Sequence, residues 1–149
     1  MTNMLETEQA TLLRELSHRA EISDLLARNW RMMDEKDFDG TDELYTDDIA
    51  LVMAGGEPIS GAAAVIECTR ELNVPYRATQ HNGCSIGIEL DGDHAVAHAN
   101  VIGVLVGAND DVPPVSVTAV GARVGVVHTA QGWRINRIEL TPRYRYPVR

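Results

Sequence analysis

Positive charge is in short supply in this chain. Thirteen Lys and Arg stand against 22 Asp and Glu, a formal net charge of −9. Without clustered basic side chains a protein has nothing to neutralise a phosphate backbone, which excludes nucleic acid as a partner. The one basic stretch is the tail Arg143-Tyr-Arg-Tyr-Pro-Val-Arg149. Cysteine is scarcer still. Cys68 and Cys84 are the only two, too few and too far apart for a disulfide framework or a metal knuckle, and both read as buried thiols. No apolar run reaches membrane-spanning length. The N-terminus, Met-Thr-Asn-Met-Leu-Glu-Thr-Glu, lacks the basic start and apolar core of a signal peptide, so no membrane partner and a cytoplasmic location are expected. Repeats, low-complexity tracts and linkers are absent as well. What is left is a single domain, 1–149, long enough to bury a core.

From about Glu8 to Glu35 no Gly or Pro interrupts a helix-favouring run. Leu12, Leu13 and Leu16 make a short stripe, and Ile22, Leu25, Leu26, Trp30 and Met33 a longer one at the spacing of a helix buried on one side. Ser17 lies between the stripes and is placed to cap a second helix after a corner. Near the helix end, Asp34 follows Trp30 by four residues and so shares its inward side, where a carboxylate requires a partner. A short second helix is expected over about Thr41–Tyr45, a strand over Ile49–Ala54, and a third helix from Ala62 to about Leu72. From Pro75 the character turns to β. Strand Tyr76–Leu90 turns at Asp91-Gly92-Asp93 into His94–Gly107; Val115–His128 and Trp133–Leu140 follow. Helices first and long strands after predict an α+β domain, three N-terminal helices packed on one face of a curved, mostly antiparallel sheet that leaves a cone with an open mouth.

The chemistry concentrates in the first long strand. Alternation puts Thr79, His81, Gly83, Ser85 and Gly87 on one face, with Cys84, Ile86, Ile88 and Leu90 opposite. A row of small residues with one imidazole leaves a hollow, read here as the floor of a pocket. Glycines in a strand also mark bends and bulges.

Four phrases, Glu21-Ile-Ser-Asp-Leu-Leu26, Met33-Asp-Glu-Lys-Asp-Phe38, Leu44-Tyr-Thr-Asp-Asp48 and Thr79-Gln-His81, together with Gly132-Trp-Arg-Ile135, carry a resemblance across about Leu12–Tyr144. The chain resembles the nuclear-transport-factor-2-like superfamily and, within it, the SnoaL-like group. It looks closest to the subset that includes scytalone dehydratase, bile-acid 7α-dehydratase and hexachlorocyclohexane dehydrochlorinase. Those enzymes eliminate water or hydrogen halide without metal or organic cofactor, through an aspartate ending the first helix and a histidine opening a long strand. The resemblance therefore implies Asp34 and His81 as a catalytic pair, no cofactor, no metal, and a lyase acting on a small hydrophobic cyclic substrate. In such a pair the imidazole removes a proton from carbon while the carboxylate fixes its tautomer. Tyr45, Asn29 and Asn100 are candidate donors to a leaving oxygen. His98 shares the Asn100 face and points either into the cone or away from it. Arg143 is placed to meet an acidic substrate at the mouth or to pack on a neighbour. Trp30, Met33, Met53 and Val52 are the expected apolar walls.

Departures from the relatives narrow the choice. Asn29 stands near where the dehydrochlorinase has a lysine, which weakens a haloalkane substrate. Met53-Ala54 offers no acid for a ketosteroid-isomerase mechanism, and His98 and Asn100 none for a polyketide-cyclase one. Because the superfamily also holds binding and assembly subunits, the competing expectation is a ligand carrier or a dioxygenase small-subunit-like module, favoured if His81 does not face Asp34. Val115, Val117, Val124 and Val126 are read as an apolar outer sheet face that requires self-association. The relatives imply a homotrimer, with a dimer as the alternative.

Overall fold

The computed structural model describes residues 2–110 and 113–147. One helix, α1 (Thr2–Glu35), is followed by a single 3-10 turn at Thr41–Glu43, strands β1 (Tyr45–Met53) and β2 (Ile59–Ser60), and helix α2 (Ala62–Asn73). Four long strands complete the chain: β3 (Tyr76–Asp91), β4 (His94–Gly107), β5 (Val115–Thr129) and β6 (Gly132–Tyr146). The six strands form one sheet in the order β2-β1-β6-β5-β4-β3, antiparallel throughout except where β1 runs parallel to β6. No helix among the described residues is long and apolar enough to cross a membrane.

The α+β architecture, with helices on one face of a curved sheet, is the expected one, with two α-helices where three were expected. The segment Thr41–Tyr45 supplies only the 3-10 turn, because β1 claims Tyr45 as its first residue and leaves too few positions for an α-helical turn. Ser17 makes no corner either. Its hydroxyl donates to Glu21 Oε1 at 2.9 Å within a continuous helix. That helix stops by a backbone device: Lys36 takes a left-handed conformation (φ 55°) and the Asp37 N–H reaches back to the Met32 carbonyl at 3.1 Å. The last turn of α1, carrying Met33 and Asp34, is thereby fixed against β3.

The core lies between α1 and the inner sheet face. Ile22, Leu25 and Leu26 are at most 1% exposed, each contributing roughly 1.5–3 kcal/mol by leaving water. They meet Ala95, Ala97 and Ala99 of β4, Val124 and Val126 of β5, and Ile135 and Ile138 of β6. Short alanines let the helix approach the sheet closely at this narrow end. Val124 and Val126 thus belong to the core, and the expectation that they join Val115 and Val117 outside is corrected by simple parity.

Bulges decide the faces, and two of them bear on residues singled out in the sequence. In β3, Cys84 pairs with Asn100 and Gly87 with His98, so Ser85 and Ile86 together oppose Ala99; Ser85 has φ 53°. Thr79, His81 and Gly83 face inward as expected, but beyond the bulge it is Ile88 and Leu90, not Gly87, that turn toward the core. In β6, Val120 pairs with Pro142 and Ala119 with Tyr144, leaving Arg143 as the extra residue. Neither cysteine is a buried thiol: Cys68 is half-buried, and Cys84 is exposed on the outer face.

Candidate active site

At the wide end, where the alanines give way to Val101, Gly103 and Leu105, the helix and the sheet part around a cavity of about 380 Å³, within the range of small-molecule sites. Trp30 and Met33 of α1, Leu51 and Met53 of β1, and Val120, Val124 and Leu140 of the sheet make its walls mainly apolar. Val52, expected among them, pairs with Glu139 on the outer face, and Leu51 takes its place. Two glycines shape the interior. A Cβ on Gly83 would lie 1.9 Å from Trp30 Cη2, so the indole sits flat where a side chain would be. A Cβ on Gly103 would come within 3.0 Å of Thr118 Oγ1 and 3.6 Å of the His81 ring, so its absence leaves room for the imidazole.

His81 reaches this cavity from the inner face of β3. Its Nδ1 lies 2.6 Å from Asp34 Oδ1, and its backbone N–H donates to Asp34 Oδ2 at 2.9 Å. Thr79 Oγ1 adds a third donor, 3.1 Å from Oδ1. The carboxylate is therefore held by β3 at both oxygens. With side chains only 15% and 24% exposed for His81 and Asp34, the contact escapes most of the screening that makes surface ion pairs weak. An ionised carboxylate can only accept. The proton of the neutral imidazole accordingly belongs on Nδ1, and the lone pair on Nε2 is left for the cavity.

Opposite chemistry comes from Tyr45 and Asn29, both lining the cavity. The phenol donates to Asn29 Oδ1 at 2.6 Å, which leaves Asn29 the N–H bonds of its amide to offer. Burial pushes the Tyr45 phenol well above its ordinary pKa, so it stays a donor.

The residues singled out in the sequence divide cleanly. His81, Asn29, Trp30, Tyr45 and Met53 gather at the cavity, with Asp34 behind the imidazole. His98, Asn100 and Arg143 are elsewhere: they line a shallow polar groove on the outer sheet face, alongside Ser85 and Arg123. His98 and Asn100 share the parity of Gly87 and Cys84, and the β6 bulge turns Arg143 outward, where its guanidinium lies over Gly121. The residue that reaches the mouth is Arg145, two positions on, paired with inward-facing Thr118. Pro142 was the available signal, since proline inside a strand marks an edge or a bulge. Thr69, Leu72 and Asn73 of α2 also line the cavity, and nothing in their spacing set them apart.

Away from the cavity, ligand atoms of His18, Glu21 and His128 lie within 4.8 Å of one another, the one such trio among the described residues able to hold a metal ion. His18 Nδ1 there already accepts from Trp133 Nε1 at 3.1 Å.

A family model described as the SnoaL-like domain matches residues 14–139. No curated protein matches the chain in sequence. Among solved structures, the Kfla4162 protein from Kribbella flavida superposes with a TM-score of 0.83 at 24% identity, over 89% of this chain and 95% of its own. A candidate scytalone dehydratase from Novosphingobium aromaticivorans gives 0.81 at 18% identity, over 91% of each chain. A hexachlorocyclohexane dehydrochlorinase, LinA type 2, gives 0.80 at 17% identity, over 92% of this chain and 93% of its own. At these identities the structural likeness is one of fold.

Proposed function

The chain belongs to the SnoaL-like domain family, within the nuclear-transport-factor-2-like superfamily, and from that premise we propose that it is a cofactor-independent lyase of the dehydratase type. The observation that carries this reading is the 2.6 Å contact between His81 Nδ1 and Asp34 Oδ1 behind an apolar cavity. A carrier or assembly subunit of this fold has no need of an oriented imidazole, and dehydratase-type and dehydrochlorinase proteins stand among the structural neighbours.

The substrate is a small hydrophobic cyclic molecule with an acidic C–H beside a carbonyl and a hydroxyl on the next carbon. His81 Nε2 takes the proton, and the C–H electron pair becomes the new double bond. The C–O pair departs with oxygen, which leaves as water by taking back the proton that His81 Nε2 has accepted, restoring the neutral imidazole. Asp34 touches no substrate in this scheme. It keeps the tautomer and stabilises the imidazolium as it forms. The Asn29 amide N–H, held in place by the Tyr45 phenol that donates to its oxygen, is the donor available to the leaving or enolate oxygen, and Arg145 at the mouth favours a substrate whose polar end stays near solvent.

Incubation in deuterated water with cyclic β-hydroxy ketones tests the base step without requiring the right leaving group. His81-dependent α-deuteration or dehydration is expected from the parent, and its loss in both His81→Ala and Asp34→Asn, each still folded by circular dichroism. Parent and variants that exchange at the same rate would remove His81 from the mechanism.

A further inference from the structure

The first half of α1 lies uncovered. Residues 3–17 are exposed along their whole length, an arm of about 22 Å at helical rise. It nonetheless carries Met4, Leu5, Leu12, Leu13 and Leu16, all more than half exposed. Leu5, Leu12 and Leu16 fall on one stripe, rotated by about 100° from the stripe that Ile22, Leu25 and Leu26 turn to the core. The leucines are thus not aimed at their own sheet. A helix of this length is marginal in water without a packed face.

A second surface is equally uncovered. The outer sheet face, on the side away from α1, presents Ile102, Val104, Val115, Val117, Tyr144 and Tyr146, with Val115 50% and the two tyrosines 55% and 67% exposed. Over β5 and β6 its charge is the opposite of the arm's, the acids Glu89 and Asp91 lying away on the edge strand β3. Arg123, Arg137 and Arg143 share this face, with Glu139 as the acid between them, bonded to Arg137 at 2.5 Å and 3.8 Å from Arg123. The arm carries Glu6, Glu8 and Glu15 against one Arg14, with Glu8 and Glu15 one helical step from the leucine stripe.

We infer that residues 3–17 dock, leucine stripe inward, on the outer sheet face of a second copy of this chain. Both surfaces require cover, since contiguous apolar patches of this kind mark interaction sites, and the glutamates beside the stripe match the arginines beside the patch. Pairing two arms with each other would set glutamates against glutamates. The inference is independent of the chemistry proposed for the cavity.

Sedimentation equilibrium on the full chain tests it. The parent is expected to self-associate. Leu12→Glu with Leu16→Glu, on a part of the helix that takes no part in the core, is expected to raise the dissociation constant at least 10-fold with circular dichroism unchanged. Arg123→Glu with Arg143→Glu is expected to do the same, and adding Glu8→Arg with Glu15→Arg to that pair to restore association. A monomeric parent would overturn the inference. So would association that survives the arginine reversals but not the leucine ones, which identifies arm-to-arm pairing, and so would failure of the double charge swap to restore binding.

Discussion

His81 and Asp34 are 47 residues apart in sequence and joined three ways in space: ring to carboxylate at 2.6 Å, and the His81 backbone N–H to both carboxylate oxygens at 2.9 and 3.1 Å. The backbone contacts matter as much as the ring contact. They tie the end of α1 to β3 whatever the imidazole does, so the carboxylate is in place before any substrate arrives. A substitution at either residue therefore separates chemistry from architecture in a readable way.

Asp34→Asn preserves the shape of the group but can present N–H where only acceptors now stand. The imidazole loses its reason to keep the proton on Nδ1. Turnover is expected to fall roughly 10²–10⁴-fold, with a much smaller change in KM. Long-range proton–nitrogen correlation spectra report the tautomer directly. A variant in which His81 keeps Nδ1–H and full activity would deny Asp34 its orienting role.

Gly83→Ala asks the Trp30 ring to vacate the place where the new methyl would sit, since the Cβ would lie 1.9 Å from Cη2. Overpacking of this kind costs about 1–3 kcal/mol. Urea titration should show that loss, and tryptophan emission should shift as the indole is pushed into the cavity. Unchanged stability and emission would mean that the wall moves freely.

Tyr45 gives a pH signature. Its burial lifts the phenol pKa, so folding favours the protonated form. The stability this contributes is complete below the unfolded value of about 10 and is lost as the pH climbs from there through the raised folded value. Ultraviolet titration of the parent should show a phenolate that appears late, together with unfolding, and Tyr45→Phe should lack it. The same variant gives up the bond to Asn29, worth about 1 kcal/mol.

Face assignment is open to a paired comparison. His98→Ala alters a side chain on the outer groove and is expected to leave catalytic constants as they were. Arg145→Met alters the one arginine on the cavity wall among the described residues and is expected to weaken binding of a substrate with a polar end by about 10-fold. Steady-state kinetics on both decides the matter. The reverse ranking would put the binding site on the wrong side of the sheet.

The chain's own order of residues settled a good deal. An uninterrupted helical run with an apolar stripe, a carboxylate four residues past Trp30, and a strand of small residues around one imidazole were enough to turn Asp34 and His81 inward; joining them as a pair came from the resemblance to the dehydratase-type relatives. Each of those features is local: helix periodicity places Asp34 inward, and strand periodicity places Thr79, His81 and Gly83 on one face. Trp30 and Met33 followed from the same helix periodicity, while Tyr45 and Asn29 were candidates only through the resemblance to the dehydratase-type relatives.

Tertiary structure decided the rest, and for one main reason. Alternation predicts a face only while the ladder stays in register, and one bulged residue reverses every side chain beyond it. The bulge at Ser85 sends Ile88 and Leu90 inward, and the bulge at Arg143 gives the cavity Arg145 instead. His98 and Asn100 lie outside because β4 is locked to β3 by partners that only the folded sheet specifies. The short helix expected at Thr41 yielded to β1 in the same way, since pairing with β6 at Tyr45 is a contact with Ile135, ninety residues further along the chain.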